Sequence, residues 1–408
     1  MNLGDLRKIT WEGYLRADGT KGIRNKVIVV YTVECSSFVA HRIVAEINNP
    51  DVEVIGFDGC TDNAYAIHLL TSLITHPNVG AVLAVGLGCE YTQADRLAKV
   101  AKEHGRTAQY FYIQESGGTA ESIKKGVKIV AQMLDELKNT PRVTMGFEDL
   151  TVGAECGGSD FTSGLAGNVV VGKFYDMLEE IGGTPIFEEI VEAVGLVDIL
   201  KNRAANEQAE KELVYTYNKA LEYCKSVHQY SVSPGNFAGG LSTIEEKSMG
   251  AVIKSGSKPI QGVLKVGMKP PKAGLWLLDS TPDPNDVQYG ITNPNDNEGL
   301  MDLISCGSHL TFLVTGRGNV VGSAIAPVIK VTGNHVTYSR LENDMDFDAS
   351  LLLDGKVKVE ELAVMLAEYV AKICAGIKTK AEILGHAEYF IPYKYQDKTV
   401  VMDKSCKF

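Results

Sequence analysis

At 408 residues the chain is longer than one hydrophobic core usually organises, so two domains of unequal size are expected. Apolar residues make up 45% and charged residues 22%, the profile of an ordinary globular protein, which excludes disordered, fibrous and membrane-embedded classes. A formal net charge of -11 with no Lys/Arg-dense run argues against a nucleic-acid partner, although a few converging cations and backbone N–H groups can still hold a small acid.

The amino terminus, MNLGDLRKITWEGYLRADG, lacks an apolar segment after a basic start, and no apolar stretch is long enough to span a bilayer. A cytoplasmic protein without membrane contact is expected. Eight cysteines in that setting read as thiols or ligands rather than as a disulfide framework.

Residues 1–140 read as strand-then-helix units, with strands at 26–33 (KVIVVYTV), 51–57 (DVEVIGF), 81–87 (AVLAVGL) and 109–114 (QYFYIQ). This predicts an α/β protein whose N-terminal domain is a doubly wound parallel sheet. The polar, proline-bearing stretch 137–142 marks a boundary, after which 141–392 form a larger C-terminal α/β domain and the Lys-rich 393–408 a tail. In the second domain the pattern predicts a helix over 185–225, glycine turns at Gly157–Gly158 and Gly239–Gly240, a long Pro/Asp/Asn-rich loop over 279–299 and a strand at 310–315.

Position carries the chemistry. Cys35, Cys60 and Cys89 each follow one of the first three strands, so an open parallel sheet brings all three to its carboxyl edge, where ligands bind. A single cysteine there is most simply a small buried hydrophobe, but three in one topological position point to soft metal ligands or a redox-sensitive group. The stretch GAECGGSDFTS (153–163) places Gly157 and Gly158 beside Cys156, Ser159 and Asp160, a nest for a carboxylate or metal, or else a turn capped by Ser159 or Asp160. SPGNFAGGLSTIEEKSMG (233–250) sets Asn236, Gly239 and Gly240 before Glu246 and Lys247, where close ligand approach competes with an ordinary helix cap. In LVTGRGNVVG (313–322) Arg317 stands between glycines, free to present its fork to a carboxylate or sulfonate, unless the stretch is a surface turn. Cys306, His309 and the alternating Asp344, Asp346 and Asp348 are further candidates. No nucleotide fingerprint is present.

In this order, GYLRADGTKGIRNKVIV, HPNVGAVLAVGLGCE, ECGGSD, PGNFAGGLSTIEEKS and TGRGNVVGSAIAP resemble the altronate and galactarate dehydratases and the related sulfolactate sulfo-lyase large subunit, over nearly the whole chain. Two departures are visible. No SAF-type domain precedes the first block, which implies a separate small SAF-domain subunit, and Gly56 in GFDGC stands where the dehydratases show a histidine. Both departures, with GFDGCTDNAYA and GLWLLD, look more like the sulfo-lyase branch.

The resemblance implies β-elimination from a small 2-hydroxy acid. The C2 proton leaves, then sulfite or water departs from C3, and the enol tautomerises to a 2-keto acid. It implies Fe2+ or another divalent metal held by Cys35, Cys60, Cys89 and Cys156, or an iron–sulfur cluster on the rim thiols. Glu246, Lys247 and Arg317 are expected to be catalytic, with Arg24, Asn25, Gly157, Gly158, Ser159, Asp160, Asn236, Gly239, Gly240 and Thr315 binding substrate. A homo-oligomer is expected. The competing reading is a thiol-based metal-binding or redox-sensing subunit.

Overall fold

Unbroken runs of β-branched residues build parallel strands covered on both faces. The computed structural model describes residues 3–61, 63–227, 234–283, 287–288, 295–392 and 395–396. The first part runs α1 (Leu3–Leu6), β1 (Trp11–Leu15), β2 (Lys21–Gly22), β3 (Lys26–Tyr31), α2 (Glu34–Ile47), β4 (Val52–Gly56), α3 (Ala64–Ile74), β5 (Val79–Gly86), α4 (Ala94–Glu103), β6 (Thr107–Tyr112), α5 (Thr119–Leu137) and β7 (Arg142–Met145). Four of these strands form a parallel sheet ordered β4-β3-β5-β6, and every residue of the central β3 and β5 is buried. Val27, Val29 and Leu83 pack against Ile43 and Met133 of α2 and α5, while Ile28, Val30 and Val82 pack against Leu69 and Leu97 of α3 and α4. This is the predicted doubly wound sheet. Separately, β1 pairs antiparallel with β2 and β7.

The second part runs β8 (Thr151–Cys156), α6 (Asn168–Ile181), β9 (Thr184–Phe187), α7 (Val197–Asn202), α8 (Glu207–Val227), α9 (Pro234–Ala238), α10 (Ile244–Ile253), β10 (Ile260–Lys265), β11 (Leu275–Asp279), β12 (Val287–Gln288), α11 (Asp296–Ser305), β13 (Leu310–Thr315), β14 (Val328–Thr332), α12 (His335–Arg340), β15 (Phe347–Asp348), α13 (Val359–Cys374), α14 (Lys380–Leu384) and β16 (Tyr395–Gln396). Seven strands make a parallel sheet ordered β10-β11-β9-β8-β13-β14-β15, while β12 and β16 pair antiparallel. The chain leaves β8 toward β9 on one side, and leaves β13 toward β14 and β15 on the other. The neighbours β8 and β13 therefore flank the point where the sheet's winding reverses, where open α/β sheets hold ligands.

One predicted element is corrected. The stretch 185–225 is not a single helix, because Gly182 takes φ 113 and ends α6, and the four buried residues of β9 follow at once between β8 and β11. The helical pattern resumes in α7 and α8. Much of the expected loop over 279–299 and nearly all of the expected tail lie outside the described residues.

The two parallel sheets are joined through a shared interior. Tyr65 donates to Asp302 at 2.7 Å and Asn78 to the His309 carbonyl at 2.9 Å, and Leu69 and Leu73 belong to one apolar cluster with Trp276 and Ile304. Among the described residues no helix is long and apolar enough to cross a membrane.

Candidate active site

Where β8 ends, the chain turns through Gly157, Gly158, Ser159 and Asp160; where β13 ends, it turns through Gly316, Arg317 and Gly318. The turns are laced together. Gly157 N–H donates to the Val314 carbonyl at 3.0 Å, and the N–H groups of Gly316 and Arg317 donate to the Gly158 carbonyl at 3.3 and 3.0 Å. Thr315 donates to the same carbonyl at 3.4 Å and accepts from Gly318 N–H at 3.0 Å. Gly158 at φ 66 is in the left-handed region, and Gly316 has no room for a side chain, because a Cβ would stand 1.9 Å from Asp160 Oδ1.

The third block joins the same spot. Asn236 Nδ2 donates to the Ser159 carbonyl at 3.0 Å, Arg317 Nη1 donates to the Gly235 carbonyl, and a Cβ on Gly239 would lie 2.8 Å from Arg317 Cδ. Ser233 lies outside the described residues. Asp160 is occupied in holding the turn, accepting from Thr162 N–H at 2.8 Å, Ser163 N–H at 3.2 Å and Asn334 Nδ2 at 3.0 Å, so it is a positioning residue. Ser159, Asp160, Asn236, Gly239, Thr315 and Arg317, named from the sequence, are thus brought together. The Gly157 N–H, expected to face an anion, is instead used within the sheet edge.

Beside these turns is a cavity of about 240 Å³ lined by Cys156, Ser159, Asn168, Glu192, Glu246 and Lys247, with Phe161, Leu165, Met249 and Ile253 at 40% to 59% exposure around it. Cys156 Sγ lies 2.9 Å from Ser159 Oγ, and burial pushes its thiol above the usual range, so it stays protonated at neutral pH. Lys247 Nζ stands 2.8 Å from Glu192 Oε1. Burial works against the lysine's charge, but Glu192 outweighs it and holds the ammonium above its ordinary pKa. Lys247 is therefore a fixed cation and a poor base. Glu246 Oε2 accepts from Ser242 N–H at 2.8 Å and Ser242 Oγ at 2.7 Å, and Thr243 caps α10 by accepting from Glu246 N–H. Glu246 is accordingly engaged in closing the first turn of α10, the local role that its sequence context allows.

Glu192 also borders a second chamber, of about 70 Å³, lined by Glu155, Glu188, Glu189, Asp296, Glu298 and Asp302. Glu189 holds φ 68, an uncommon conformation for a non-glycine residue, and pairs with the fully buried Lys254. Burial raises the Glu155 carboxyl well above its ordinary pKa, and the Glu188 carboxylate raises it further. Asp296 is raised by burial and then by Glu192, while accepting from Asn319 Nδ2 at 2.6 Å. The acidic stretches FEEIVE (187–192) and NDNEG (295–299), following a strand and opening a helix, are the sequence signal for this chamber.

The thiols divide. Cys35, Cys60 and Cys89 are exposed at the carboxyl edge of the four-stranded sheet, on loops that touch: Glu34 N–H donates to the Asp58 carbonyl, and Tyr91 N–H to the Cys60 carbonyl at 3.1 Å. Buried Glu90 braces that edge by accepting from Thr32 Oγ1 at 2.5 Å and Gly88 N–H at 2.7 Å. Cys156 belongs to the seven-stranded sheet and to a cavity lined only by residues of 156–253. Among the described residues no three His, Cys, Asp or Glu side chains are gathered to hold a metal ion, so the four-thiol ligand set does not fit one.

Arg24 and Asn25 sit at the opposite, amino end of β3. Arg24 binds Glu382 through Nε at 2.8 Å and Nη2 at 2.9 Å, and Asn25 is held by Arg16 and Thr140. Both act as structural clamps. His309, between the Lys21 carbonyl and Thr151 N–H, and Asp346, which accepts from Lys330 N–H and Tyr369, are also structural. Cys306 is buried with its thiol 3.6 Å from the Lys265 carbonyl.

Residues 13–138 match the second domain of D-galactarate dehydratase/altronate hydrolase, and residues 147–397 match the C-terminal domain of D-galactarate/altronate dehydratase. The chain is 30% identical over 383 residues to the altronate dehydratase of Bacillus subtilis, covering 90% of this chain and 74% of that protein. It is 30% identical over 402 residues to the galactarate dehydratase (L-threo-forming) of Escherichia coli, covering 92% and 75%. It is 29% identical over 404 residues to the (2R)-sulfolactate sulfo-lyase subunit beta of Chromohalobacter salexigens, covering 96% and 99%. With both domains matched in order and at this extent, the chain belongs to the D-galactarate/altronate dehydratase family and is a lyase.

Proposed function

We propose that the chain is the large subunit of a lyase that removes sulfite from a 3-sulfolactate-like 2-hydroxy acid, leaving pyruvate. The observation that carries this reading is the buried Lys247–Glu192 pair in a cavity at the winding reversal between β8 and β13. Lys247 and Arg317 seat the substrate's two anionic groups. As C2 loses its proton to Glu192, negative charge grows on the carboxylate oxygens, and a fixed ammonium in a partly apolar cavity is suited to stabilise it. The C2–H electron pair forms the C2–C3 double bond, the C3–S bond breaks, and sulfite leaves with that bond's electrons. The enol then takes a proton on C3 and becomes the keto acid.

The resemblance implies a divalent metal, which when bound supplies Lewis-acid polarisation of the carboxylate. A separate small SAF-domain subunit and assembly into a homo-oligomer complete the proposed enzyme; the naming of the Chromohalobacter relative as a subunit supports a partner subunit, without saying of what kind. A second reading, loss of water from a sugar acid, is favoured by the 30% identity to altronate and galactarate dehydratases. Incubating the chain and its small subunit with 3-sulfolactate, aldonates and aldarates while measuring keto acid and sulfite together decides between them. Keto acid with equal sulfite supports the first reading; keto acid from a sugar acid without sulfite use replaces it with the second.

A further inference from the structure

The polar side chains around the 240 Å³ cavity hold one another, with one exception. Ser159 Oγ lies 2.9 Å from Cys156 Sγ, Ser163 Oγ accepts from Asp160 N–H at 3.2 Å, Glu246 accepts from Ser242, and Lys247 faces Glu192. The exception is Asn168, the first residue of α6, which lines the cavity at 1% exposure. Its Nδ2 donates to the Gly250 carbonyl at 2.9 Å. A carbonyl can only accept, so this contact fixes the orientation of the amide, with Nδ2 toward Gly250 and Oδ1 away from it. Oδ1 is buried and, among the described residues, has no hydrogen-bond partner.

The approach of α10 is what orients the amide. A Cβ on Gly250 would stand 3.1 Å from Gly164 Cα and 3.8 Å from Asn168 Nδ2, so the helix comes this close only because both residues are glycine. The cavity's remaining walls, among them Phe161, Leu165, Leu241 and Met249, offer nothing to a hydroxyl. A buried amide oxygen without a donor is unfavourable, and it marks a place where a donor belongs. Ionised carboxylates and sulfonates only accept, so the acid groups of a ligand cannot fill that place, whereas an alcohol can.

We infer that Asn168 Oδ1 receives the hydrogen of the 2-hydroxyl of the bound acid, making Asn168 the residue by which the cavity distinguishes a 2-hydroxy acid from its deoxy and keto counterparts. Lys247 and Arg317 seat the anionic groups, and the hydroxyl contact fixes the remaining rotation about C2, which decides whether the C2 hydrogen faces Glu192. That the hydroxyl belongs to the acid undergoing elimination rests on the lyase reading; recognition of a hydroxyl in this cavity does not. A site built around one buried acceptor rejects an analogue without the matching donor more strongly than apolar contact alone would.

The test is a calorimetric titration of the full chain with malate, succinate and oxaloacetate, three dicarboxylates that differ at C2 in carrying a hydroxyl, hydrogens or a carbonyl and that have no sulfite to lose. The wild type should bind malate more tightly than either of the others, by on the order of tenfold or more. In Asn168→Ala the malate preference over succinate should fall to within about twofold, whatever the absolute affinities, because loss of a purely structural support weakens both ligands alike. Equal binding of the three by the wild type, no measurable binding of malate, or a folded Asn168→Ala protein that keeps the preference overturns the inference. Should Asn168→Ala fail to fold, the wild-type ratios decide it, with malate having to exceed both analogues. Turnover of 3-sulfolactate is scored separately: malate preference without sulfite release leaves this inference standing and removes the lyase reading, and sulfite release without malate preference does the reverse.

Discussion

Lys247 Nζ stands 2.8 Å from Glu192 Oε1, with the two side chains only 10% and 7% exposed, so an ion pair forms the partition between a partly apolar cavity and an acidic chamber. Removing one partner leaves the other charge buried and uncompensated, which costs about 3–5 kcal/mol. Lys247→Ala should lower the thermal midpoint and reduce kcat by on the order of 100-fold, the loss typical of a deleted charge-stabilising group. Glu192→Ala should do likewise. The double variant should be less damaged in stability than the two single losses summed, which thermal melts of all four proteins measure.

Gly316→Ala should act through Asp160 alone. The added methyl would stand 1.9 Å from Oδ1, so the carboxylate must leave Thr162, Ser163 and Asn334. Overpacking of this kind costs about 1–3 kcal/mol. The variant should remain folded by circular dichroism while losing substrate binding, seen as a raised KM.

The Arg24–Glu382 pair should govern part of the acid stability. Burial pushes Glu382 up, but the Arg24 guanidinium and Thr379 N–H outweigh burial and hold the carboxyl below its ordinary value of 4.5. A depressed folded-state pKa contributes stability that is present above 4.5 and is lost as pH falls through the depressed value. Glu382→Gln should therefore be less stable than the wild type at neutral pH, by about 3–5 kcal/mol, with the gap narrowing below pH 4.5 in melts across a pH series.

The first sheet was legible because its strands are buried on both faces and read as unbroken apolar runs, with strand ends displaced by one or two residues. Cys35, Cys60 and Cys89 could be placed on one edge for the same reason: strand ends in a parallel sheet share a side. Cys156 could not be separated from them, because sequence order does not say that β8 belongs to another sheet. The ECGGSD and TGRG blocks were recognisable as site material, since their glycines mark close backbone approach, but their mutual contact is a long-range property. Glu192 was missed, because a carboxylate in an acidic stretch looks like a solvated face until neighbouring strands and helices bury it. Arg24 and Asn25 were misplaced because they belong to a family block whose role here is to tie the amino end of β3 to Glu382 and Thr140.

The thiols should react in two classes. Cys35, Cys60 and Cys89 are exposed, whereas Cys156, Cys224, Cys306 and Cys374 are buried with their thiols raised by burial. With a disulfide reagent under native conditions, the wild type should show three more rapidly titrated thiols than C35A/C60A/C89A. That variant should keep its turnover.

The central claim is that elimination takes place in the cavity between the β8 and β13 turns, with Lys247 and Glu192 acting on the acid. Its most direct test is product release from 3-sulfolactate by the chain with its small subunit, comparing wild type with Lys247→Ala. Pyruvate and sulfite in equal amounts from the wild type, falling by on the order of 100-fold in the variant, is the predicted result. Unchanged turnover by a folded Lys247→Ala protein, or no keto acid from any hydroxy acid supplied, would contradict it.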